Sequence, residues 1–268
     1  MRIAHAIVTG GSSGIGLALT RRLAARGVRV SVLALDDAAM QALHDLAAEL
    51  GTLHLEAVDV ADREAVNAAV GRCLEVHGPV DLLVTSAGVT RPGHFLDLED
   101  EEFERQLAVN YLGTLWAVRA VAAGMVERRR GSIVAVSSFA GLVGVFGYTA
   151  YAPSKFAVRG LIETLRCELA PHGVHVAAVY PTDVDTPMLA GEQPLKPAQT
   201  RALSGTAATL TPDAVADAIL RGVARGEHRI FCDRSSWWLD RVAAVLPGLT
   251  RRIVDRTVAG AGGADGLP

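Results

Sequence analysis

Residues 4–16 read AHAIVTGGSSGIG, which is a short apolar segment followed by a glycine-rich turn and the start of a helical pattern. The turn places Gly10, Gly14 and Gly16 in the spacing G-x-x-x-G-x-G. Glycine permits a positive φ and a close approach of the backbone to a phosphate group, and the N-terminus of a helix presents free N–H groups to such an anion. The stretch therefore predicts a strand, a phosphate-binding turn and a helix, although a purely structural turn has the same spacing.

Apolar runs of similar length alternate with helical patterns along the rest of the chain. Seven runs predict strands: Ala4–Val8, Val30–Ala34, Leu53–Val58, Val80–Val84, Ile133–Val136, Val174–Tyr180 and Ile230–Cys232. Their continuous apolarity suits a parallel sheet that is buried on both faces, and the intervening segments are long enough for crossover helices. We therefore expect an α/β protein with a Rossmann-type doubly wound fold, in which a seven-stranded parallel sheet forms the middle of three α/β/α layers.

The size and charge of the chain limit its organisation and its partners. It has 268 residues, of which 50% are hydrophobic and 21% are charged, and one α/β domain can bury a large core at this length. We expect a single domain over residues 1–233 and a helical tail over residues 234–268, with a frayed, glycine-rich end from about residue 259. The net charge of −3 favours a small-molecule partner over nucleic acid, which usually requires a basic stripe.

The cysteines and the apolar segments indicate the cellular compartment. Cys73, Cys167 and Cys232 lie far apart without paired spacing, so they predict neither a disulfide framework nor a thiol metal site. The histidines also lack the paired spacing of a zinc site, and we expect no metal. The apolar N-terminal segment is too short for a signal peptide, and the longest apolar region, 133–152, is interrupted by serines and glycines. A cytoplasmic location is therefore expected.

Two residues four positions apart suggest acid–base chemistry. If Ala152–Leu169 is helical, Tyr151 and Lys155 lie one turn apart and share a face. A free tyrosine titrates near about 10, and an adjacent ammonium group should lower its pKa, which would make Tyr151 a usable general acid. Packing on a helix surface gives the same spacing. Tyr148 competes for this role but stands seven residues before Lys155, and we interpret it as lining of a substrate pocket or as ordinary packing.

The glycine turn, Asn110, Ser138, Tyr151 and Lys155 occur in an order that resembles the short-chain dehydrogenase/reductase family over roughly residues 4–233. The resemblance implies an NAD(P)-dependent oxidoreductase that transfers a hydride between nicotinamide and a ketone or secondary alcohol. It implies that Tyr151 donates the proton, that Lys155 holds the nicotinamide ribose, that Ser138 binds the substrate oxygen and that Asn110 holds a water. A non-catalytic dinucleotide-binding regulator is the alternative, but such a protein need not keep these four residues.

The resemblance also implies which residues contact the ligands. The cofactor-binding residues are Gly10, Ser12, Ser13, Gly14, Ile15, Gly16, Asp36, Asp59, Val60, Ser86, Ala87, Gly88, Tyr151, Lys155, Pro181, Val184 and Thr186. The substrate-binding residues are Ser138, Tyr148, Tyr151 and Met188. Ala34 and Leu35 stand where the family selects between the cofactors NAD(H) and NADP(H). Asp36 follows one residue later and either faces the ribose, which would favour NAD(H), or caps the next helix.

Parts of the sequence resemble 3-ketodihydrosphingosine reductases more closely than other members of the family. These parts are residues 103–105, 109–113, 127–129, 144–151, 154–161, 183–187, 196–197 and 200–201. They imply that the substrate is a long-chain keto lipid, with a steroid, a polyketide or a small secondary alcohol as alternatives. Residues 188–210 are rich in Pro, Gly and Ala, and form either a lid over the substrate or a plain surface loop.

The tail combines aromatic, apolar and basic residues. Trp237 and Trp238 precede apolar residues that are interspersed with four arginines. This pattern suits a helix at a lipid surface, which would give peripheral membrane contact, and equally a helix that packs on the domain or across a dimer. The family resemblance implies a homodimer or homotetramer with an interface that includes helices around Phe103–Val126 and Ala152–Leu169.

Overall fold

The computed structural model of the protein describes residues 2–204 and 208–261. Seven strands form one all-parallel sheet in the order β3-β2-β1-β4-β5-β6-β7. The strands are β1 His5–Thr9, β2 Arg29–Ala34, β3 Leu53–Ala57, β4 Leu82–Thr85, β5 Gly131–Val136, β6 Val174–Val179 and β7 Arg229–Ile230. The predicted seven-stranded Rossmann-type sheet is confirmed.

Helices cover both faces of the sheet and follow it at the C-terminal end. They are α1 Gly14–Ala24, α2 Ala38–Leu50, α3 Arg63–His77, α4 Asp100–Leu107, α5 Gly113–Glu127, α6 Tyr151–Leu169, α7 Pro187–Glu192, α8 Ala198–Ser204, α9 Pro212–Arg225, α10 Arg234–Val245 and α11 Pro247–Ala261. Buried residues of α1, α2 and α9 pack on one face of the sheet, and those of α3, α5 and α6 pack on the other. This is the expected three-layer arrangement.

The continuous apolarity of the strands is explained by burial on both faces. Ile7 and Leu83 are register partners in β1 and β4 and belong to the core cluster under α3, α5 and α6. Their neighbours Val8 and Val84 belong to the opposite cluster, because successive side chains of a strand point to opposite faces. All four are fully buried.

The last strand is shorter than the sequence predicts and is shifted toward the N-terminus. We expected Ile230–Cys232, whereas β7 covers Arg229–Ile230 and pairs only with β6. The strand ends early because Asp233 caps α10, where its side chain accepts a hydrogen bond of 2.8 Å from the Ser236 backbone N–H. The chain must therefore turn away from the sheet at Phe231.

The helix that contains Asn110 is not one regular helix. A π-helical turn, Ala108–Leu112, joins α4 to α5, and the Gly113 N–H bonds to the Ala108 carbonyl across five residues. Such turns often lie at functional sites. The whole run Asp100–Glu127 is long and apolar enough to span a membrane by length and composition. Within the fold, however, α5 packs against α3 and strands β4 and β5.

The tail folds back on the domain. Asp240 of α10 accepts hydrogen bonds of 3.0 and 2.8 Å from Arg229, and α11 packs against α8. Packing on the domain was one of the two interpretations of the tail. Helix α11 continues to Ala261, although we expected a frayed end from about residue 259; the rest of that end, residues 262–268, lies outside the described residues.

Two glycines in helices test how closely the glycine-rich turn is packed. A Cβ at Gly16 would lie 2.2 Å from the Gly10 carbonyl oxygen, whereas a Cβ at Gly71 would meet no atom within 4 Å. We expect Gly16→Ala to lower the free energy of unfolding by about 1–3 kcal/mol, as overpacking does. Gly71→Ala, the matched control in α3, should raise it by about 0.5–1 kcal/mol, the helix-propensity difference. Urea unfolding measures both, and equal effects of the two changes would contradict the packing described here.

Candidate active site

A cavity of about 750 Å³ opens at the carboxyl ends of the strands. The strand order reverses there, between β1 and β4, and open α/β sheets bind ligands at such points. Most residues predicted to bind cofactor or substrate line the cavity: Gly10, Ser12, Ser13, Gly14, Ile15, Asp59, Val60, Ser86, Ala87, Gly88, Ser138, Tyr148, Tyr151, Lys155, Pro181, Val184, Thr186 and Met188. Gly16, Asp36 and Asn110 lie outside its wall.

The glycine-rich turn has the shape and the free donors that a pyrophosphate requires. Gly10 has a φ of +64°, and a Cβ there would lie 2.8 Å from the Ala87 backbone in the loop after β4. Ser13 occupies the N-cap of α1, but its side chain makes no capping hydrogen bond to the described part of the chain. The N–H groups of the first helical turn therefore remain available to an anion. The residues present fit a dinucleotide.

The loop after β2 carries the residues that would meet the ribose of a bound dinucleotide. Leu35 and Asp37 line the cavity, whereas Asp36 accepts a hydrogen bond of 2.7 Å from the Gln41 side chain. The interpretation of Asp36 as a helix cap is wrong, because Asp37 is the N-cap of α2 and accepts from the Met40 N–H at 3.0 Å. Of the two aspartates in this loop, the one in the cavity wall is thus Asp37, which sequence reasoning missed because either of two adjacent aspartates can cap.

Three of the residues predicted to carry out the chemistry meet in the cavity. Ser138 follows β5, and its Oγ accepts a hydrogen bond of 3.1 Å from the Ala140 N–H. Tyr151 and Lys155 lie on the first two turns of α6, so they share a face as predicted. The Lys155 Nζ lies 5.6 Å from the centre of the Tyr151 ring and donates to the Val136 carbonyl at 3.0 Å. A carbonyl compound in the cavity can therefore meet a hydroxyl, a phenol and an ammonium group.

Burial sets the ionisation of these groups. It raises the pKa of Tyr151, the charge of Glu192 raises this pKa further, and a hydrogen bond with Ser138 opposes both. Burial lowers the pKa of Lys155 to about 8. We expected a lowered pKa for Tyr151, and that is wrong for the protein alone, because burial removes the phenolate from water and the charges of Glu192 and Asp183 oppose its formation. Tyr151 is therefore protonated at neutral pH and can donate its proton.

Asn110 lies fully buried on the π-helical turn, next to the chemical residues. Its Nδ2 donates to the Val89 carbonyl at 3.0 Å and to the Ser154 Oγ at 2.9 Å, and its Oδ1 accepts from the Val89 N–H at 2.8 Å. A Cβ on Gly88 would lie 3.1 Å from Asn110 Oδ1 and 3.5 Å from Lys155 Nζ. Asn110 thus ties the loop after β4 to α6, and the water predicted for it stays a prediction.

A buried polar network extends the site beyond the residues that the sequence predicts. The Tyr148 hydroxyl donates to Glu192 Oε1 at 2.9 Å, and Lys196 Nζ lies 2.9 Å from the same oxygen. Lys196 also donates to Asp183 Oδ2 at 3.2 Å. Glu192 and Asp183 both line the cavity, and the ring centres of Tyr148 and Tyr151 are 5.4 Å apart. Sequence reasoning missed Glu192, although its i,i+4 spacing from Lys196 was a signal of a pair.

The predicted lid and the tail also contribute to the wall of the cavity. Residues 188–204 form α7, a 3₁₀ turn and α8, and Met188, Leu189 and Leu203 line the cavity. Residues 205–207 of the predicted lid lie outside the described residues. The tail adds apolar side chains from α10 and α11: Leu239, Val242, Ile253 and Val254. The sequence did not predict these contacts, because they join segments that lie far apart along the chain.

A group of possible metal ligands lies on β3 and α3. His54, Glu56 and Cys73 bring one ligand atom each to within 4.8 Å of one another. The Glu56 carboxylate is paired with Arg72, and burial raises the pKa of the Cys73 thiol to about 11. A paired carboxylate and a protonated thiol are poor ligands. None of the three lines the cavity.

Comparison of the sequence with known proteins agrees with this geometry. Residues 4–196 match the family model described as short chain dehydrogenase. The 3-ketodihydrosphingosine reductase of Bos taurus is 42% identical over 253 residues, which cover 92% of this chain and 76% of that protein. The 3-ketodihydrosphingosine reductase of Dictyostelium discoideum is 36% identical over 266 residues, which cover 92% and 78%.

Solved structures resemble the fold closely. An actinorhodin polyketide ketoreductase with NADPH has a TM-score of 0.76 and 30% identity, over 85% of this chain and 95% of that one. A short-chain dehydrogenase/reductase from Burkholderia phymatum in complex with NAD has a TM-score of 0.82 over 93% and 96%, and at 24% identity it shows the fold alone. The family match and the relatives agree with a glycine-rich turn that fits a dinucleotide. The chain therefore belongs to the short-chain dehydrogenase family and is an NAD(P)-dependent oxidoreductase.

Proposed function

We propose that the protein reduces a long-chain keto lipid, with 3-ketodihydrosphingosine as the best single substrate. The observation that carries this proposal is the apolar part of the cavity wall. Besides Ser138 and Tyr151, the wall includes Met188, Leu203, Leu239, Val242, Ile253 and Val254. Burial of an alkyl chain against such a wall stabilises the complex by about 0.8 kcal/mol per methylene. The names of the two relatives, both 3-ketodihydrosphingosine reductases, support the same substrate.

The dinucleotide supplies the hydride when it is bound, and the chain supplies its binding site. The N–H groups at the start of α1 would hold its pyrophosphate, and Asp59 and Val60 line the part of the cavity where the family resemblance implies the adenine. Ser86, Ala87 and Gly88, and then Pro181, Val184 and Thr186, line the remainder.

The chemistry of reduction follows from the ionisation of the chemical residues. Tyr151 stays protonated because burial raises its pKa, and it donates its proton to the carbonyl oxygen as the alcohol forms. The Ser138 hydroxyl donates a hydrogen bond to the same oxygen, where negative charge develops. Lys155, anchored on the Val136 carbonyl, adds positive charge beside Tyr151 and would hold the ribose of the bound dinucleotide.

Replacement of each tyrosine in turn should distinguish the proton donor from a residue that only lines the pocket. We expect Tyr151→Phe to reduce kcat at least about a hundredfold with little change in dinucleotide affinity, since only the proton donor is lost. Tyr148→Phe removes a hydroxyl whose partner is Glu192 and should change kcat less than tenfold. Steady-state kinetics and dinucleotide titration measure both. Equal losses of kcat in two folded variants would show that Tyr151 is not the acid.

The alkyl-chain wall should determine which ketones react well. In a homologous series of 3-ketones, kcat/KM should rise about three- to fourfold per added methylene until the apolar part of the cavity is filled. Leu239→Ser should flatten this rise by placing a hydroxyl in the wall, whereas Leu74→Ser, on an exposed face of α3, serves as the control. If kcat/KM of the unmodified enzyme did not change with chain length, a long-chain lipid would be excluded as the substrate and a small ketone or a polyketide would be favoured.

We propose further that the tail touches lipid membranes and that the enzyme is otherwise cytoplasmic. Trp238 and Val245 on α10, Leu246 between the helices and Leu249 on α11 are exposed outside the cavity wall, and Arg251, Arg252 and Arg256 follow on α11. Apolar and cationic side chains together suit an anionic bilayer surface. Vesicles in which about a third of the lipid is phosphatidylserine should co-sediment with the enzyme. The double variant Trp238→Ser/Leu246→Ser should reduce the sedimented fraction of the enzyme. Equal sedimentation of both forms would contradict the proposal.

A homodimer or homotetramer through α4, α5 and α6 is the third part of the proposal. Leu107 at the end of α4 is 44% exposed and Phe156 on α6 is 40% exposed, although α4 and α6 pack together. Burial of these faces against a second copy would remove both from water. Light scattering at micromolar concentration should give at least twice the monomer mass of 28.1 kDa, and a monomer mass would refute this.

A further inference from the structure

The polar network around Glu192 does not contain the proton donor, but Glu192, Asp183 and Tyr148 line the same cavity as Tyr151. Glu192 and Lys196 are buried, with side-chain exposures of 8% and 1%, and the Asp183 side chain is 28% exposed. Tyr148, also buried, donates its hydroxyl to Glu192. Buried polar groups of this kind are costly unless they are satisfied, and their cost indicates a role.

The network carries one more negative charge than positive charge. Asp183 and Glu192 are two carboxylates, and Lys196 is the one cation within 4 Å of either among the described residues. Lys155 does not balance the second carboxylate, because its Nζ is bonded to the Val136 carbonyl. The pKa of Lys155 is lowered by burial, with no contribution from either carboxylate. Arg105, the other cation of the cavity wall, lies 3.7 Å from Glu102.

The surplus charge lies close to Tyr151, the proposed proton donor. Tyr148 bridges the two places, since its ring centre is 5.4 Å from that of Tyr151 while its hydroxyl is bonded to Glu192. A buried carboxylate that is only partly balanced favours a cation in the ligand, because a cation restores neutrality whereas a hydroxyl group does not. A protonated primary amine suits such a place, since it has three donors for carboxylate oxygens.

We propose that Glu192 and Asp183 form a subsite for a substrate ammonium group next to the carbonyl that Tyr151 protonates, so that the enzyme selects 2-amino-3-ketones over plain ketones. Lys196 holds the two carboxylates together, and Tyr148 orients Glu192. The inference rests on the proposed function and deepens it, because it assigns the recognition of the amine to residues of this chain. Charged hydrogen bonds of this kind contribute about 1.5–3 kcal/mol, which corresponds to roughly ten- to a hundredfold in affinity.

A binding experiment tests the subsite without turnover. The probes are 2-aminodecan-3-ol and decan-3-ol, which differ only in the amine, titrated calorimetrically into the enzyme saturated with oxidised dinucleotide. The unmodified enzyme should bind the amino alcohol about ten- to a hundredfold more tightly. Glu192→Gln and Asp183→Asn each make the network neutral, and both should reduce this ratio to about threefold or less while leaving the Kd of decan-3-ol unchanged. Asp185→Asn removes the same charge from an exposed position outside the cavity wall and should leave the ratio unchanged.

Each outcome decides the matter. A ratio near one in the unmodified enzyme, or a ratio that survives in both variants, overturns the subsite, as does an equal weakening of both probes in folded variants. Because the two substitutions act at different points of the network, a folding defect in one still leaves the other to decide. A preserved amine preference together with a flat chain-length series would overturn the long-chain substrate and leave the subsite in place, so the two failures are distinguishable.

Discussion

The parallel pairing of β1 with β2 on one side and with β4 on the other is the constraint on which the site depends. Because the chain leaves β1 toward one face of the sheet and reaches β4 from the other, the connections diverge above the strand ends and leave a crevice. The turn that leaves β1 must then pass so close to the loop after β4 that a Cβ at Gly10 would lie 2.8 Å from the Ala87 backbone. A side chain at that point would collide with the loop, so the sheet order requires a glycine in the nucleotide cradle.

Local patterns were sufficient for the sheet and for the helix that places Tyr151 and Lys155 on one face. Strand burial on both faces leaves an unbroken apolar signature, and Tyr151 and Lys155 need only a helix to share a face. The π-helical turn at Asn110 and the early end of β7 were not predictable, because each depends on hydrogen bonds that the tertiary structure selects. The direction of the Tyr151 pKa was missed for the same reason: a sequence shows neighbouring charges but not the removal of water.

The Glu192 network shows the same limit in a different way. Its members come from the loop before α6, the loop after β6, and the segment around α7, and only Glu192 and Lys196 have a spacing that a sequence reveals. The sum of their charges matters because the fold brings them together with little access to water: Glu192 and Lys196 are buried and Asp183 is partly buried. The pair of Glu192 and Lys196 gives the cavity wall a surplus negative charge only because the fold brings Asp183 and Tyr148 to it from other parts of the chain.

The attachment of the tail also separates two properties of the enzyme. Arg229 and Asp240 fasten α10 to β7, and α11 rests on α8, whereas Ser138 lies in the loop after β5 and Tyr151 and Lys155 lie on α6. The helices that supply much of the apolar wall are thus a module added after the last strand, independent of the residues that carry the proton. Selection acting on the module can change the accepted length of a chain without disturbing the chemistry, which makes substrate range and reaction type separately evolvable.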